Sequence, residues 1–373
     1  MHLPEDLVVE ILYRVPAVSL ARLRSISKGW NALIKNGRVL AKKHSAYAPR
    51  QPPLFIMLID FRVYLVSVDL HGFDSNNVAP SAKLTGQFSL KDPLSKDVDI
   101  RNAFHCDGLL LCSTTDNRLV VWNPCSGATR WIQPRHSYDE YDCYALGYDN
   151  ISSCYKILRM HRRFVDYQWR HTLSEVYDFA SNSWSSVGVS TTTDWYILPI
   201  HSRGIYVKGT TYWLAYGRLD DRFLVSFDFS RERFQSLFFP ADANIPRGKH
   251  VVLSVTREEQ QLCMFSTCDF ANDEGFFSDV WISTKMEGTG TVSWTKSHRF
   301  HSKIYITVSA DHEKKVLVCE HILGPYHSID IVGNVLHIVG EDIHIRRVNV
   351  YGEIRCPFLF TYVPSLVQIQ QAI

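Results

Sequence analysis

The sequence has little of what secreted and membrane proteins usually show. Its 373 residues contain nine cysteines but no Cys-x-x-Cys pair and no regular framework, which speaks against a structural zinc site and against a disulfide scaffold. The N-terminus lacks the apolar run of a signal peptide, and no apolar run approaches the ~20 residues of a membrane span. We therefore expect reduced thiols, no membrane partner, and a location in the nucleus, the cytoplasm or both.

Motifs for catalysis and nucleotide binding are also missing. The sequence contains no HExxH, Walker A or GxSxG motif, and the pair Gly288-x-Gly290 lacks a third glycine. Sixteen histidines are scattered without clustering, and Cys263 and Cys268 fit no standard zinc spacing. We predict no cofactor, no metal and no catalytic residue. The net charge of only +2 argues against a nucleic-acid role for the whole chain.

What the sequence does contain begins with three short predicted helices in the first 34 residues. Pro4 suits the first position of a helix, and Glu5 and Asp6 follow where the helix dipole favours negative charge. Leucine, isoleucine and valine then recur at helical spacing until Pro16 ends the first helix. Three helices of this size have too few apolar residues for a full core, so they need a second surface to bury against.

Short sequence elements in a fixed order run through this whole stretch. They are Leu3-Pro4-x-Asp6-Leu7, Glu10-Ile11-Leu12, Arg14-Val15-Pro16, Ser19-Leu20 and Lys28-x-Trp30-x-x-Leu33-Ile34. With this order and spacing the stretch resembles an F-box. The resemblance implies docking onto the Skp-type adaptor of an SCF ubiquitin ligase and, through it, onto the cullin and RING subunits. The alternative is an ordinary amphipathic helical cap on the following domain.

The apolar residues near the start of the chain cannot all be buried within three short helices, so we expect them to bind the adaptor. The predicted adaptor-binding residues are Leu3, Pro4, Leu7, Ile11, Leu12, Pro16, Val18 and Leu20. Trp30 and Leu33 are predicted to pack the F-box itself.

The period of the apolar residues changes from helical to strand-like at Leu54. Prolines in residues 46–53 forbid regular structure there, so we predict an F-box in residues 1–45, a linker in 46–53 and a β domain in 54–373, with helix confined to residues before 46. Within the β domain, hairpins with aromatic residues on both strands recur. Their leading aromatics, Trp122, Tyr177, Phe227 and Trp281, lie 55, 50 and 54 residues apart, and each is predicted to pair with an aromatic across the turn: Trp131, Trp184, Phe234 and Trp294.

A period near 50 residues with about four strands per repeat indicates a β-propeller, here of about six blades. The segments 343–350 and 357–367 are predicted to pair with strands near Leu54 and close the ring. The alternative is a generic pair of all-β sandwiches. The double glycine of kelch repeats and a Trp-Asp repeat are absent.

Several segments of this region occur in the same order as the segments of a known family. They are Phe104–Cys112, Leu119–Trp131, Tyr144–Asp149, Val207–Trp213 and Tyr362–Val367. With them the region resembles the F-box-associated interaction domain of plant F-box proteins, which implies a mainly β, kelch-like propeller after the three-helix F-box.

Loop-like stretches rich in Asp, Arg and Ser carry a second group of aromatics. Tyrosine, tryptophan and arginine concentrate binding energy at interfaces, so these loops are predicted to bind a protein target. The candidate target-binding residues are Tyr138, Tyr141, Trp169, Trp195, Tyr196 and Tyr216.

The two resemblances imply a substrate receptor of an SCF ubiquitin ligase, in which other subunits perform the chemistry. Two other functions stay open at this point: a β-propeller enzyme with a helical appendage, and a scaffold that pairs with the adaptor without a ligase. The sequence does not name the target.

Overall fold

A computed structural model describes most of the chain. The described residues are 4–12, 14–26, 28–36, 54–69, 81–165, 168–188, 195–217, 221–239, 250–256, 261–269, 276–284, 292–302, 304–311, 316–323, 335–339, 345–349 and 359–369. The predicted linker 46–53 lies outside them, and the predicted domain boundaries stay a prediction.

Three helices precede the β domain: α1 Glu5–Leu12, α2 Ala17–Ile26 and α3 Lys28–Asn36. Each of the first two directly follows a proline whose carbonyl oxygen accepts the first helical N–H groups. Pro4 accepts from Leu7 and Val8 at 3.1 Å, and Pro16 accepts from Ser19 at 2.9 Å. The helical start of the chain is therefore as predicted.

Strands dominate the described chain from residue 54 onward. They are β1 Leu54–Ile59, β2 Arg62–Asp69, β3 Ser81–Phe88, β4 Ile100–Cys106, β5 Leu109–Thr114, β6 Leu119–Trp122, β7 Thr129–Ile132, β8 Cys143–Asp149, β9 Cys154–Val165, β10 Gln168–Asp178, β11 Ser183–Ser186, β12 Trp195–Tyr196, β13 Ile205–Val207, β14 Thr210–Gly217, β15 Arg222–Asp228, β16 Arg233–Leu237, β17 His250–Val255, β18 Leu262–Asp269, β19 Phe276–Ser283, β20 Trp294–Ser302, β21 Ile304–Asp311, β22 Val316–Leu323, β23 Val335–Val339, β24 Ile345–Asn349 and β25 Leu359–Tyr362. One short 3-10 helix, Pro199–His201, departs from the expectation of strand and loop only.

The described strands pair into six antiparallel sheets. In chain order the sheets are β25-β1-β2-β3, β4 to β7, β8 to β11, β12 and β13 with β14 to β16, β17 to β20, and β21 to β24. Their first strands touch in sequence: β4 contacts β8, β8 contacts β13, β13 contacts β17, β17 contacts β21, and β21 contacts β25. The imidazole of His105 on β4 stacks on Phe360 of β25 with ring centroids 5.5 Å apart, which completes the circle. The mainly β, propeller-type fold predicted from the sequence is confirmed.

The ring is closed by the two ends of the β domain. Leu54 on β1 lies opposite Tyr362 on β25, as predicted for the C-terminal segment. The prediction is wrong for segment 343–350, because β24 pairs with β23 in the preceding sheet instead.

Two of the four predicted aromatic pairs form. Tyr177 lies opposite Trp184 with ring centroids 5.3 Å apart, and Phe227 lies opposite Phe234 at 4.8 Å. In the other two hairpins the register differs from the prediction, so Trp122 lies opposite Thr129 and Trp281 opposite Lys296.

The largest apolar cluster joins the sheets that contain β4, β8 and β14. Packing there is close enough to require a glycine. A Cβ added to Gly147 on β8 would lie 2.1 Å from the ring of Phe229, which is itself fully buried.

Antiparallel pairing makes the chain reverse alternately at two opposite faces of the ring. One face carries the β4–β5 and β6–β7 turns, and the segment 363–369 after β25 lies on it, because Asn123 of the β6–β7 turn bonds to the carbonyl of Ser365. We call it the tail face. The opposite face carries residues 133–142, the far end of the β9–β10 hairpin, β12, the end of β14 and the start of β15. We call it the loop face.

Candidate protein-binding surfaces

An exposed apolar stripe runs along α1. Leu7 is 48% exposed and Ile11 is 54% exposed, and their spacing of four residues places them on one side of the helix. Pro4, one turn before, is also exposed. These three predicted adaptor-binding residues therefore form one accessible surface.

Two other predicted adaptor-binding residues are buried. Leu12 is 3% exposed and Leu20 is fully buried, in a cluster with Ala17 and with Leu366 from the C-terminal segment. Side chains enclosed in this way cannot touch a partner in this arrangement. We correct the prediction for Leu12 and Leu20, whose role here is to pack the helices.

The remaining predicted F-box residues divide as follows. Pro16 is half-buried, and Trp30 is partly buried against the cluster of Leu12 and Leu20, in agreement with a packing role. Leu3 and the side chains of Val18 and Leu33 lie outside the described residues.

All six predicted target-binding aromatics fall on the loop face. Tyr138 and Tyr141 lie between β7 and β8, Trp169 lies near the start of β10, Trp195 and Tyr196 form β12, and Tyr216 lies near the end of β14. Loops that are separate in the sequence between residues 138 and 216 thus meet at one face.

Their exposure differs widely, however. Tyr141 is 46% exposed, whereas Trp195 and Tyr196 are half-buried. The backbone of Trp169 lies opposite Phe164 in the β9–β10 hairpin, and the side chain of Trp169 is not among those that the structure describes. Among the described members of the set, Tyr141 is the best placed to touch a partner.

The rings of Tyr216 and Tyr138 are packed against neighbouring parts of the protein. Tyr216 is only 8% exposed and stacks between Tyr196 and His201, with ring centroids 5.6 and 5.8 Å away. Tyr138 is half-buried, donates its hydroxyl to the carbonyl of Ile132 at 3.1 Å, and its burial raises its pKa. We correct the prediction for Tyr216, since a buried ring supports the surface and does not contact a target directly.

A buried charge network holds the loop face in shape. The carboxylate of Asp142 is fully buried and accepts from Arg159 at 2.7 and 2.8 Å, from His161 Nδ1 at 2.6 Å, and from the Tyr144 hydroxyl at 3.0 Å. Arg159 also donates to the carbonyl of Ser137 at 2.8 Å. The network therefore ties residues 133–142 to the β9–β10 hairpin.

The electrostatics of this network follow from burial and from Asp142. Burial by itself lowers the pKa of Arg159, but the charge of Asp142 outweighs it and raises the pKa above its usual value. Burial, and then the charge of Asp142, raise the pKa of Tyr144. Arg159 therefore stays a cation and Tyr144 a neutral hydrogen-bond donor, as the network requires.

Arg162 adds a second connection. Its guanidinium donates to the carbonyl oxygens of Tyr141 at 2.7 Å and Ile197 at 2.9 Å, which joins residues 133–142, the hairpin and the segment after β12. Phe164, two residues further on, is 58% exposed. The result is a braced surface with the exposed rings of Tyr141 and Phe164.

Sequence reasoning missed Asp142, Arg159, Arg162 and Phe164. Alternation of Arg159, His161 and Arg163 along one strand is the signal that could have found Arg159, because alternate positions share one face of a strand. Phe164 was hidden because aromatic residues in strands more often pack than bind.

Two properties of the described residues bear on other functions. No group of three or more His, Cys, Asp or Glu in this part of the chain is arranged to hold a metal ion. No described helix has the length and hydropathy needed to cross a bilayer.

Comparison with known proteins gives two family matches. A model for the F-box domain matches residues 1–42, and a model for the F-box associated beta propeller domain matches residues 54–369. Three Arabidopsis thaliana proteins are among the relatives that resemble this chain over its whole length. “Putative F-box protein At3g21120” is 65% identical over all of both chains; “Putative F-box protein At3g21130” is 57% identical over 100% of this chain and 98% of its own; and “Putative F-box protein At4g10190” is 45% identical over 99% and 98%.

Proposed function

Because the chain belongs to the family of plant F-box proteins that carry an F-box-associated β-propeller domain, we propose that it is a substrate-recognition subunit of an SCF-type ubiquitin ligase. The observation that carries the proposal is the separation of two accessible surfaces. The α1 stripe lies in the F-box match, and the braced loop face lies on the other side of the propeller. One surface is suited to hold the ligase and the other to hold the target.

In this role the chain is not itself a catalyst. It contributes proximity, because a target held near a charged ubiquitin carrier reacts in an effectively intramolecular way. A receptor of this kind needs two binding surfaces and a fixed relation between them, with the bond-forming groups supplied by other subunits. We propose the nucleus or cytoplasm as its location, in keeping with the buried thiols of Cys112, Cys143 and Cys263.

Adaptor binding is assigned to Pro4, Leu7 and Ile11. Fully burying a leucine or isoleucine side chain contributes about 1.5–3 kcal/mol. Since Ile11 is already about half-buried in the free chain, an adaptor would bury the other half. Its truncation should weaken adaptor binding roughly four- to thirteenfold.

Target binding is assigned to the loop face around Tyr141 and Phe164. Exposed aromatic rings on a rigid support lose little conformational freedom on binding. The network of Asp142 and Arg159 supplies the support, because it fixes the loop before any target arrives. The target is proposed to be a protein, in keeping with the role of a substrate receptor in a ubiquitin ligase.

The test is binding of purified full-length protein to a Skp-type adaptor, measured by calorimetry for wild type, Ile11→Glu and Ile151→Glu. Ile11→Glu should abolish measurable binding, because its carboxylate would be desolvated without a partner. Ile151 is a matched control, since it is 79% exposed in the β8–β9 turn of the propeller, and its variant should bind like wild type.

Retained adaptor binding by a folded Ile11→Glu variant would show that the α1 stripe is not the docking surface. Cullin is then added to the adaptor complex. Capture of cullin supports the ligase receptor, and adaptor binding without cullin would identify the scaffold instead.

A further inference from the structure

The C-terminal segment 363–369 is held on the tail face by a buried asparagine. Asn123 is fully buried, and its Nδ2 donates to the carbonyl oxygens of Ser365 at 3.1 Å and Val367 at 2.8 Å. Its Oδ1 accepts from the backbone N–H groups of Cys125 and Ser126. The amide is therefore satisfied on both sides, and it links the β6–β7 turn directly to the segment's backbone.

Ser365 attaches the segment to a second turn, the β4–β5 turn. Its Oγ donates to the carbonyl of Asp107 at 2.7 Å. The Ser365 side chain lies directly over Gly108, where an added Cβ would be 2.6 Å from the Ser365 Cβ. Gly108 has a φ of +79°, so both its conformation and the close approach require glycine.

Leu366 connects the same segment to the helices. It is 6% exposed and packs in the cluster with Leu12, Ala17 and Leu20, whereas Val367 packs against the central cluster of the propeller. Cys125, beside Asn123, is also packed against the helical cluster. The segment is thus bound to the propeller on one side and to α1 and α2 on the other.

We propose that residues 363–369 form a clasp that fixes the F-box helices on the tail face of the propeller. The clasp supplies the second apolar surface that three short helices need, through a residue more than 340 positions later in the chain. It leaves the Leu7 and Ile11 side of α1 exposed. The helices are held by the clasp whether or not an adaptor is present, and only the consequence for ligase geometry rests on the proposed function.

That consequence is a fixed distance between the two binding surfaces. With the helices clasped to the tail face, the loop face points away from the ligase side of the molecule. A target is then presented in one orientation, which proximity catalysis rewards. A helical segment tethered only by its chain connection would sample many orientations.

The test is hydrogen–deuterium exchange of the full-length chain, without adaptor, for wild type, Leu366→Ala and Val363→Ala. Val363 is a matched control from the same segment, because it is 53% exposed. If the clasp holds the helices, Leu366→Ala should speed exchange of the α1 and α2 amides roughly ten- to a hundredfold. Exchange in the propeller strands should not change.

Ser365→Ala provides a milder variant if Leu366→Ala disturbs the propeller. The variant loses the bond from Ser365 Oγ to the carbonyl of Asp107 and the longer one, 3.2 Å, that Oγ accepts from the Val367 N–H. Exchange of α1 and α2 should speed roughly two- to tenfold for each bond lost. Unchanged exchange of α1 and α2 in both variants, or equal acceleration by Val363→Ala, would overturn the clasp. Because no adaptor is present, this result is independent of whether the protein joins a ligase.

Discussion

Arg159 offers the sharpest perturbation of the loop face. Its side chain is 5% exposed and its guanidinium lies 2.7 Å from the fully buried carboxylate of Asp142. Arg159→Met keeps a long side chain but removes the charge, so Asp142 loses its cation. Because the side chain also reaches Ser137 and lies 3.5 Å from Glu175, residues 133–142 should loosen from the β9–β10 hairpin.

The cost can be bounded from the contacts that remain. Removing one partner of a buried ion pair costs about 3–5 kcal/mol. Asp142 would still accept from His161 Nδ1 and the Tyr144 hydroxyl, which offsets part of this loss. We therefore expect a loss in the free energy of unfolding of about 2–4 kcal/mol.

The assay is urea unfolding followed by fluorescence, with hydrogen exchange to show where the structure opens. Arg163→Met is the matched control, since Arg163 lies on the same strand but is exposed, and it should stay within about 0.5 kcal/mol of wild type. Adding Asp142→Asn to Arg159→Met should recover part of the loss, because the buried negative charge of Asp142 is then removed as well.

Two results would refute this account of the loop face. One is a loss in the free energy of unfolding below about 0.5 kcal/mol for Arg159→Met. The other is faster exchange that is confined to parts of the chain other than residues 133–142 and the β9–β10 hairpin.

Three further predictions concern stability and composition. Burial lowers the pKa of His105 to about 4 from 6.5, so the unfolded chain binds a proton that the folded chain does not. The contribution of His105 to the free energy of unfolding should be fully present above pH 6.5 and fall by roughly 1–3 kcal/mol as the pH drops toward 4. Urea titrations at pH 7 and pH 4.5 should show a smaller difference in the free energy of unfolding between the two pH values for His105→Gln than for wild type. An equal difference in the two proteins would contradict the assignment. Gly147→Ala should destabilise the propeller by about 1–3 kcal/mol, because the added Cβ would overlap the ring of Phe229. Gly86→Ala should not destabilise it, since no atom lies within 4 Å of the Cβ added there. Thermal melts of both variants decide the point. Elemental analysis should find no stoichiometric zinc, and one zinc per chain would refute that prediction.

The periodicity of the sequence was enough to predict the β domain, because alternating burial leaves a mark in every strand. The pairing of β25 with β1 followed from the need to close a ring. The register of individual hairpins did not follow, since a shift of one or two residues leaves the composition of a strand unchanged. Trp122 therefore faces Thr129, whereas Tyr177 faces Trp184 as predicted.

The candidate surfaces show the same limit. The apolar residues of α1 include both Ile11 and Leu12, and only their packing separates the exposed residue from the buried one. That packing depends on Leu366, which no local pattern connects to the first helix. The loop face likewise depends on Asp142 meeting Arg159, a contact made by folding between separate elements.

The division of labour between α1 and the loop face is tested most directly by quantitative affinity capture from plant cells with the proteasome blocked. Wild type, Ile11→Glu and the double variant Tyr141→Ala, Phe164→Ala are compared in one experiment. Ile11→Glu should lose the adaptor and cullin but keep the proteins that wild type enriches through the loop face. The double variant should keep adaptor and cullin and lose those proteins. Adaptor and cullin retained by Ile11→Glu, or both classes of partner lost together from folded variants, would contradict the account.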